Sequence, residues 1–163
     1  IEMIRLKTSV LLAAALKIGA ILGGAPEKDA QLLYDFGIKM GLAFQLQDDY
    51  LDVYGDPAVF GKKIGGDILC NKKTFMLITA LSLAEGEDKE TLLNWLRATD
   101  YVAEEKIQSV TALYNKVGVP ELCQARIDAY YKEGLELLDK VNVESSLKEE
   151  LKKFVCHLMD RKL

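Results

Sequence analysis

Cysteine and histidine are scarce in this sequence of 163 residues, which contains three cysteines and one histidine. Cys70, Cys123 and Cys156 are an odd number and lack the spacing of metal ligands, so we expect free thiols in a reducing compartment, with the cytoplasm as the expected location. The single histidine, His157, lies among apolar residues without a catalytic motif beside it. We therefore assign it no catalytic role.

The sequence also lacks an apolar run long enough to cross a membrane. Ser9–Leu16 follows basic residues and looks like part of a secretory signal, but Lys17 interrupts it before it approaches the ~20 residues that a span needs. We expect a buried helix here instead. The net charge is -4, with both signs interspersed, and gives no reason to expect nucleic-acid binding. These features predict a globular protein with no integral membrane span and no nucleic-acid partner.

Strand signals are scarce as well, whereas apolar residues recur at helical spacing almost throughout, so the sequence predicts an all-α fold with about six or seven helices. We expect Gly23–Pro26 to end the first helix, because glycine adopts a left-handed cap and proline cannot continue the helix. Ser146 and Glu149 predict a capping box for the last helix. The helices are expected at roughly 2–22, 29–54, 67 or 71–85, 88–97, 100–116, 120–140 and 146–161.

Acidic residues cluster at the end of the second predicted helix, where Phe44–Asp52 reads FQLQDDYLD. On a helix Asp48 and Asp52 lie one turn apart, with Gln45 one turn earlier and Asp49 beside them. A cluster of three aspartates alone is often only a solvated helix end. Like charges at this spacing are unfavourable unless a cation neutralises them, and oxygen ligands without His or Cys favour magnesium.

Lysines follow the acidic segment in a glycine-rich stretch. Phe60–Ile68 contains Lys62 and Lys63, and Asn71–Thr74 contains Lys72. Ammonium groups and loop amides so close in sequence to the aspartates could contact the same phosphate group. Acidic metal ligands followed by lysines indicate a diphosphate that is bridged by a metal ion.

The order and spacing of these elements together resemble the second aspartate-rich region of the trans-isoprenyl diphosphate synthases, also called polyprenyl synthetases. Met3–Thr8 resembles the Lys-Thr site of the same family, so the resemblance covers essentially the whole chain. It implies a helical bundle of the isoprenoid synthase type that lacks its N-terminal helices. Residues 1–163 are thus predicted to be the C-terminal part of a single domain, truncated at the N-terminus.

The resemblance also implies a role for individual residues. Those implied to hold magnesium, directly or through water, are Asp48, Asp49 and Asp52. Those implied to contact the allylic diphosphate or to support its metal are Lys7, Thr8, Gln45, Lys62, Lys63 and Lys72. Lys62 and Lys63 compete for one family position, and both stay candidates. Lys7, Thr8 and Lys72 would be catalytic because they stabilise the departing diphosphate, and Asp67 would act through the residues that contact the ligand.

The implied activity is the condensation of an allylic diphosphate with isopentenyl diphosphate, which makes a longer trans-prenyl diphosphate and releases diphosphate in a homodimeric enzyme. Asp48-Asp49 is the only adjacent pair of aspartates, and the sequence has no Arg-Arg pair. The first aspartate-rich motif of the family is therefore absent, and we expect the chain alone to be inactive. The alternative is a noncatalytic helical subunit that binds or regulates a full-length synthase, and a terpene cyclase fits less well. The family sets product length largely by bulky residues near the first motif, so this sequence predicts neither the product length nor the allylic primer.

Overall fold

The computed structural model of the chain describes residues 1–56 and 64–160. Within these ranges every regular element is helical, which confirms the predicted all-α fold. No helix of the described ranges combines the length and the apolar character that crossing a bilayer requires. The elements are α1 (Glu2–Ile4), a π-helical turn (Arg5–Ser9), α2 (Val10–Leu22), α3 (Glu27–Tyr54), α4 (Gly66–Leu69), α5 (Phe75–Leu83), α6 (Gly86–Arg97), α7 (Ala103–Lys116), α8 (Val119–Asp139) and α9 (Ser145–Met159).

The end of α2 is formed as the sequence predicts. Gly24 has φ +79°, and its amide donates to the carbonyl of Ile21 at 3.0 Å. The amide of Ala25 donates to the carbonyl of Ala20 at 2.9 Å. These bonds satisfy carbonyls that the end of the helix leaves without a partner, and the left-handed conformation they need favours glycine.

The third helix was predicted to start at residue 67 or 71, but a turn at residues 70–74 separates α4 from α5, which starts at Phe75. Asn71 adopts a left-handed φ of +51° in this turn. Thr74 then starts α5, since its Oγ1 accepts a hydrogen bond from the amide of Leu77 at 3.1 Å. Apolar residues continue on both sides of the turn, so their periodicity alone did not reveal the break.

The predicted capping box at the start of α9 is wrong. Glu144 occupies the N-cap position and makes no side-chain capping bond, and Ser146 lies inside the helix. The Oγ of Ser146 donates to Glu144 Oε2 at 3.5 Å. The helix therefore starts two residues earlier than a box between Ser146 and Glu149 requires.

The chain divides into two compact units. The described residues of the first unit are 1–47 and 125–160, and those of the second unit are 48–56 and 64–124. Buried residues that form the core of the first unit are Phe36, Met40, Leu138, Val141 and Val155. Buried residues of the second unit include Val53, Ile68, Leu77, Leu92 and Val110.

Two glycines of α3 bring its backbone against the helical segment before it, within the first unit. A Cβ added to Gly37 would lie 2.6 Å from Cα of Ala13, and one added to Gly41 would lie 2.7 Å from Cα of Ser9. Distances this short leave no room for a side chain, so glycine is required for the close approach of the two backbones. The crossing fixes the residues beside Ser9 against α3.

The expectation that the first apolar stretch forms a buried helix is wrong for one of its faces. Ala13 is fully buried against α3, but Leu11 and Leu12 are 78% and 43% exposed. The helical segment packs against α3 only along the face that carries Ser9 and Ala13.

Candidate active site

Three carboxylates lie in the last two turns of α3, in the part of the helix that belongs to the second unit. Asp49 is buried, with 3% of its surface exposed, while Asp48 and Asp52 are half-buried. A buried carboxylate is costly unless a cation or hydrogen-bond donors compensate it. The groups that contact Asp49 therefore have to compensate its negative charge.

Lys72 lies between Asp49 and Asp67 and bridges the two carboxylates. Its Nζ is 2.9 Å from Asp49 Oδ1 and 2.6 Å from Asp67 Oδ2, and its side chain is 40% exposed. Desolvation lowers the pKa of Lys72, but the hydrogen bonds to Asp67 and Asp49 outweigh it and raise the pKa above the ordinary lysine value. The ammonium group therefore stays charged at neutral pH. We call these three residues the Lys72 cluster.

Asp52 fixes the start of α4 to the end of α3. Its Oδ2 accepts a hydrogen bond from the amide of Asp67 at 2.8 Å, and its carbonyl accepts one from the amide of Gly65 at 2.6 Å. Burial raises the pKa of the Asp52 carboxyl, while the bond from the Asp67 amide acts in the opposite direction. Gly65 has φ +85°, and an added Cβ would meet the side chain of Ile107 at 2.7 Å. This junction orients Asp67 towards Lys72.

The turn that carries Lys72 is held by two residues that the sequence analysis did not single out for this role. The Nζ of Lys106 donates to Asn71 Oδ1 at 2.7 Å, and Asn71 Nδ2 donates to the carbonyl of Leu96 at 3.1 Å. The tolerance of asparagine for left-handed backbone was the available signal at Asn71. Lys106 lies 35 residues further along the chain, and its spacing carried no such signal.

Lys7 and Thr8, the predicted Lys-Thr site, lie in the π-helical turn of the first unit. Turns of this kind are rare and occur frequently at functional sites. Thr8 Oγ1 is 3.4 Å from Gln45 Oε1, so the structure brings together two of the predicted diphosphate contacts. Lys7 is exposed. The close approach of Ser9 to Gly41, one turn before Gln45, places Thr8 at this position.

The first unit also contains an apolar cavity of about 340 Å³. Its lining includes Leu12, Phe36, Met40, Phe44 and Phe154, and Thr8 lies at its wall. Leu11, the neighbour of Leu12 in the chain, points to the exterior and is 78% exposed.

The two competing candidates Lys62 and Lys63 lie outside the described residues. Their assignment therefore stays a prediction.

The carboxylates at the end of α3 suit magnesium by their chemistry, because all are hard oxygen donors. Among residues 1–56 and 64–160, no group of three His, Cys, Asp or Glu side chains is arranged to hold a metal ion. Magnesium usually takes only one or two carboxylates from a protein and completes its coordination with water and phosphate oxygens. An ion bound here would therefore need a phosphate-bearing ligand or water for its remaining ligands.

Residues 1–115 match the family model described as polyprenyl synthetase. A short chain isoprenyl diphosphate synthase of Methanothermobacter thermautotrophicus is 38% identical over 149 residues, which cover 90% of this chain and 45% of the relative. A geranylgeranyl diphosphate synthase of Sulfolobus acidocaldarius is 30% identical over 99% of this chain and 48% of its own length. The chain thus spans about half the length of these relatives.

The fold agrees with a solved structure of the same kind. The crystal structure of a geranylgeranyl pyrophosphate synthase from Corynebacterium glutamicum, complexed with isoprenyl diphosphate and magnesium, superposes with a TM-score of 0.85 at 30% identity. The superposition covers 97% of this chain and 45% of that one. Together with the match of the family model, this agreement identifies the family: the chain belongs to the polyprenyl synthetases.

Proposed function

We propose that this chain is the C-terminal half of a magnesium-dependent prenyltransferase, which condenses an allylic diphosphate with isopentenyl diphosphate and releases diphosphate. The observation that carries the proposal is the Lys72 cluster at the acidic end of α3, in a chain of the polyprenyl synthetase family. The names of the relatives and the magnesium complex of the similar structure support it.

In the second unit, the proposed magnesium ligands are Asp48, Asp49 and Asp52. The ion, when bound, would stabilise negative charge on the diphosphate. Lys72 has three N–H donors, and Asp49 and Asp67 occupy two of them. The third donor is available to a phosphate oxygen. The group that meets the departing diphosphate is a cation, and its bonds to Asp67 and Asp49 raise its pKa further above the neutral range.

In the first unit, the proposed contacts to the allylic diphosphate are Lys7, Thr8 and Gln45. Apart from Thr8, the cavity is lined by apolar residues, and the prenyl chain of the substrate has the matching chemistry. Lys62 or Lys63 would contribute a further cation.

The proposed reaction needs no side chain as general base. The allylic C–O bond breaks and its electron pair leaves with the diphosphate, and the double bond of isopentenyl diphosphate then forms the new C–C bond to the carbocation. Loss of a proton from the adduct, taken up by the released diphosphate, restores the double bond. The groups required are therefore those that stabilise a leaving anion, which is what lysines and a divalent cation do.

The test is an elongation assay of the parent protein, expressed with the sequence upstream of this chain, with magnesium, isopentenyl diphosphate and a series of allylic diphosphates. We expect elongated prenyl diphosphates, and we expect Asp48→Ala to reduce turnover far more than Asp139→Ala, which changes an exposed carboxylate of the first unit. Equal and small effects of the two substitutions would refute the metal assignment.

Two further outcomes of the assay are informative. We expect the 163-residue chain alone to give no product, because the first aspartate-rich motif is absent. A folded parent protein without any elongation activity would favour the noncatalytic subunit instead. We propose that the parent protein is a homodimer, as the family usually is, and that it acts in the cytoplasm, as free cysteines indicate. Light scattering of the purified parent measures its assembly.

A further inference from the structure

Lys106 on α7 is a buried lysine, with 1% of its surface exposed. Its Nζ donates to Asn71 Oδ1 at 2.7 Å and lies 4.3 Å from the centroid of the Tyr101 ring. Both of these partners are neutral. Because a buried ammonium group is costly to desolvate, an apolar residue of similar volume would serve packing at least as well. The position of the charge therefore calls for a reason other than packing.

The reason lies in the turn that Lys106 contacts. Asn71 is held by both ends of its amide, since Oδ1 accepts from Lys106 and Nδ2 donates to the carbonyl of Leu96. The hydroxyl of Tyr101 donates to the carbonyl of Leu69 at 3.2 Å, two residues earlier. Lys72 directly follows Asn71, and its backbone amide donates to the carbonyl of Asp67 at 2.9 Å. The backbone on which Lys72 depends is thus fixed from α7 and the segment before it.

We propose that Lys106 is a positioning residue for Lys72, which it holds between Asp49 and Asp67 through its hydrogen bond to Asn71. This inference rests on the proposed function, in which Lys72 meets a diphosphate. Loss of the bond would let the turn at residues 70–74 move, and a lysine contact to a phosphate is sensitive to small displacements.

The test measures the affinity of the 163-residue chain for inorganic diphosphate by calorimetry in the presence of magnesium. Lys106→Met keeps the buried stem and removes the charge. Asn71→Gly keeps the left-handed backbone and removes the bridging amide. Lys116→Met is the matched control, because Lys116 is on the same helix, 65% exposed and paired with Asp88. Thermal unfolding of each variant monitors its folding.

We expect Lys106→Met and Asn71→Gly each to weaken diphosphate binding roughly tenfold, the scale of one charge-assisted contact. The double variant should bind diphosphate no more weakly than the single variant with the lower affinity, because both changes break the same hydrogen bond between Lys106 and Asn71. Lys116→Met should bind like the unchanged chain.

Normal affinity of a folded Lys106→Met variant would overturn the inference, and so would losses that add up to about a hundredfold in the double variant. If Lys106→Met does not fold, normal affinity of Asn71→Gly overturns it alone. Failure of the unchanged chain to bind diphosphate is a different result, since it removes the proposed function of the Lys72 cluster and the inference together.

Discussion

Each unit contains a lysine that bridges two carboxylates, and the two bridges differ in burial. In the second unit, Lys72 joins Asp49 and Asp67, whose side chains are 4% and 21% exposed. In the first unit, Lys152 joins Asp139 at 2.8 Å and Glu149 at 3.9 Å, whose side chains are 60% and 51% exposed. The lysines themselves are similarly exposed, at 40% and 32%.

The two bridges differ in the burial of their acids. Water can replace Lys152 as the partner of an exposed carboxylate, so this pair contributes little to stability. Water has little access to Asp49, so its charge depends on a cation that the protein or a ligand supplies. Two lysine bridges of similar lysine exposure are therefore expected to have different consequences for ligand binding.

The largest effect that this comparison predicts is on binding. Lys72→Ala should weaken binding of a diphosphate by about 1.5 to 3 kcal/mol, or roughly 10- to 150-fold, because it removes a charge-assisted contact. Lys152→Ala should leave the affinity unchanged. Calorimetric titration of the two variants with diphosphate and magnesium checks this. Equal affinities would show that the burial of Asp49 has no bearing on ligand binding.

The next effect is on stability, which in the first unit depends on the close packing of two backbones rather than on a buried charge. Gly41→Ala should destabilise the protein by about 1 to 3 kcal/mol, because its Cβ would collide with the backbone of Ser9. Gly19→Ala is the control in α2, where an added Cβ has nothing within 4 Å, and it should stabilise by about 0.5 to 1 kcal/mol. Urea unfolding of both variants measures the difference. A neutral Gly41→Ala would mean that the crossing at Ser9 is loose.

The smallest effect concerns the thiols of the two units. Burial, with a smaller contribution from the charge of Asp49, raises the pKa of the Cys123 thiol to about 12. Since the raised pKa leaves almost no thiolate at pH 8, Cys123 should resist a thiol reagent until the protein is denatured. The exposed Cys70 and Cys156 should react in the native state. Mass spectrometry counts the modified thiols, and rapid labelling of Cys123 at pH 8 would contradict its burial.

The sequence predicted the parts of this fold that local rules decide. Helical periodicity predicted the all-α class, and the glycines followed by Pro26 predicted the end of α2. The turn at residues 70–74 was missed, although Asn71 and Thr74 carry local signals for a left-handed residue and an N-cap. Those residues were interpreted as part of a binding motif, and the apolar pattern continued across them.

The candidate site could be predicted only where its residues are close in sequence. The acidic end of α3 and Lys72 were named from their spacing, and the structure brings Asp49 to Lys72. Lys106 and the crossing of Gly41 with Ser9 depend on contacts between distant residues, for which a single sequence holds no local signal. The π-helical turn was also missed, because no particular residue type marks the insertion of one extra residue into a helical turn.

The π-helical turn changes the direction in which side chains point between α1 and α2. Each residue of an α-helix advances the direction of the side chain by about 100°, so one residue inserted into the turn rotates everything before it by that angle relative to α2. Thr8 faces Gln45 with the insertion in place. A deletion of one residue from Arg5–Ser9 would restore a regular helix and leave the contact of Ala13 with α3 in place. It would also turn the residues before the deletion to a different side of the helix.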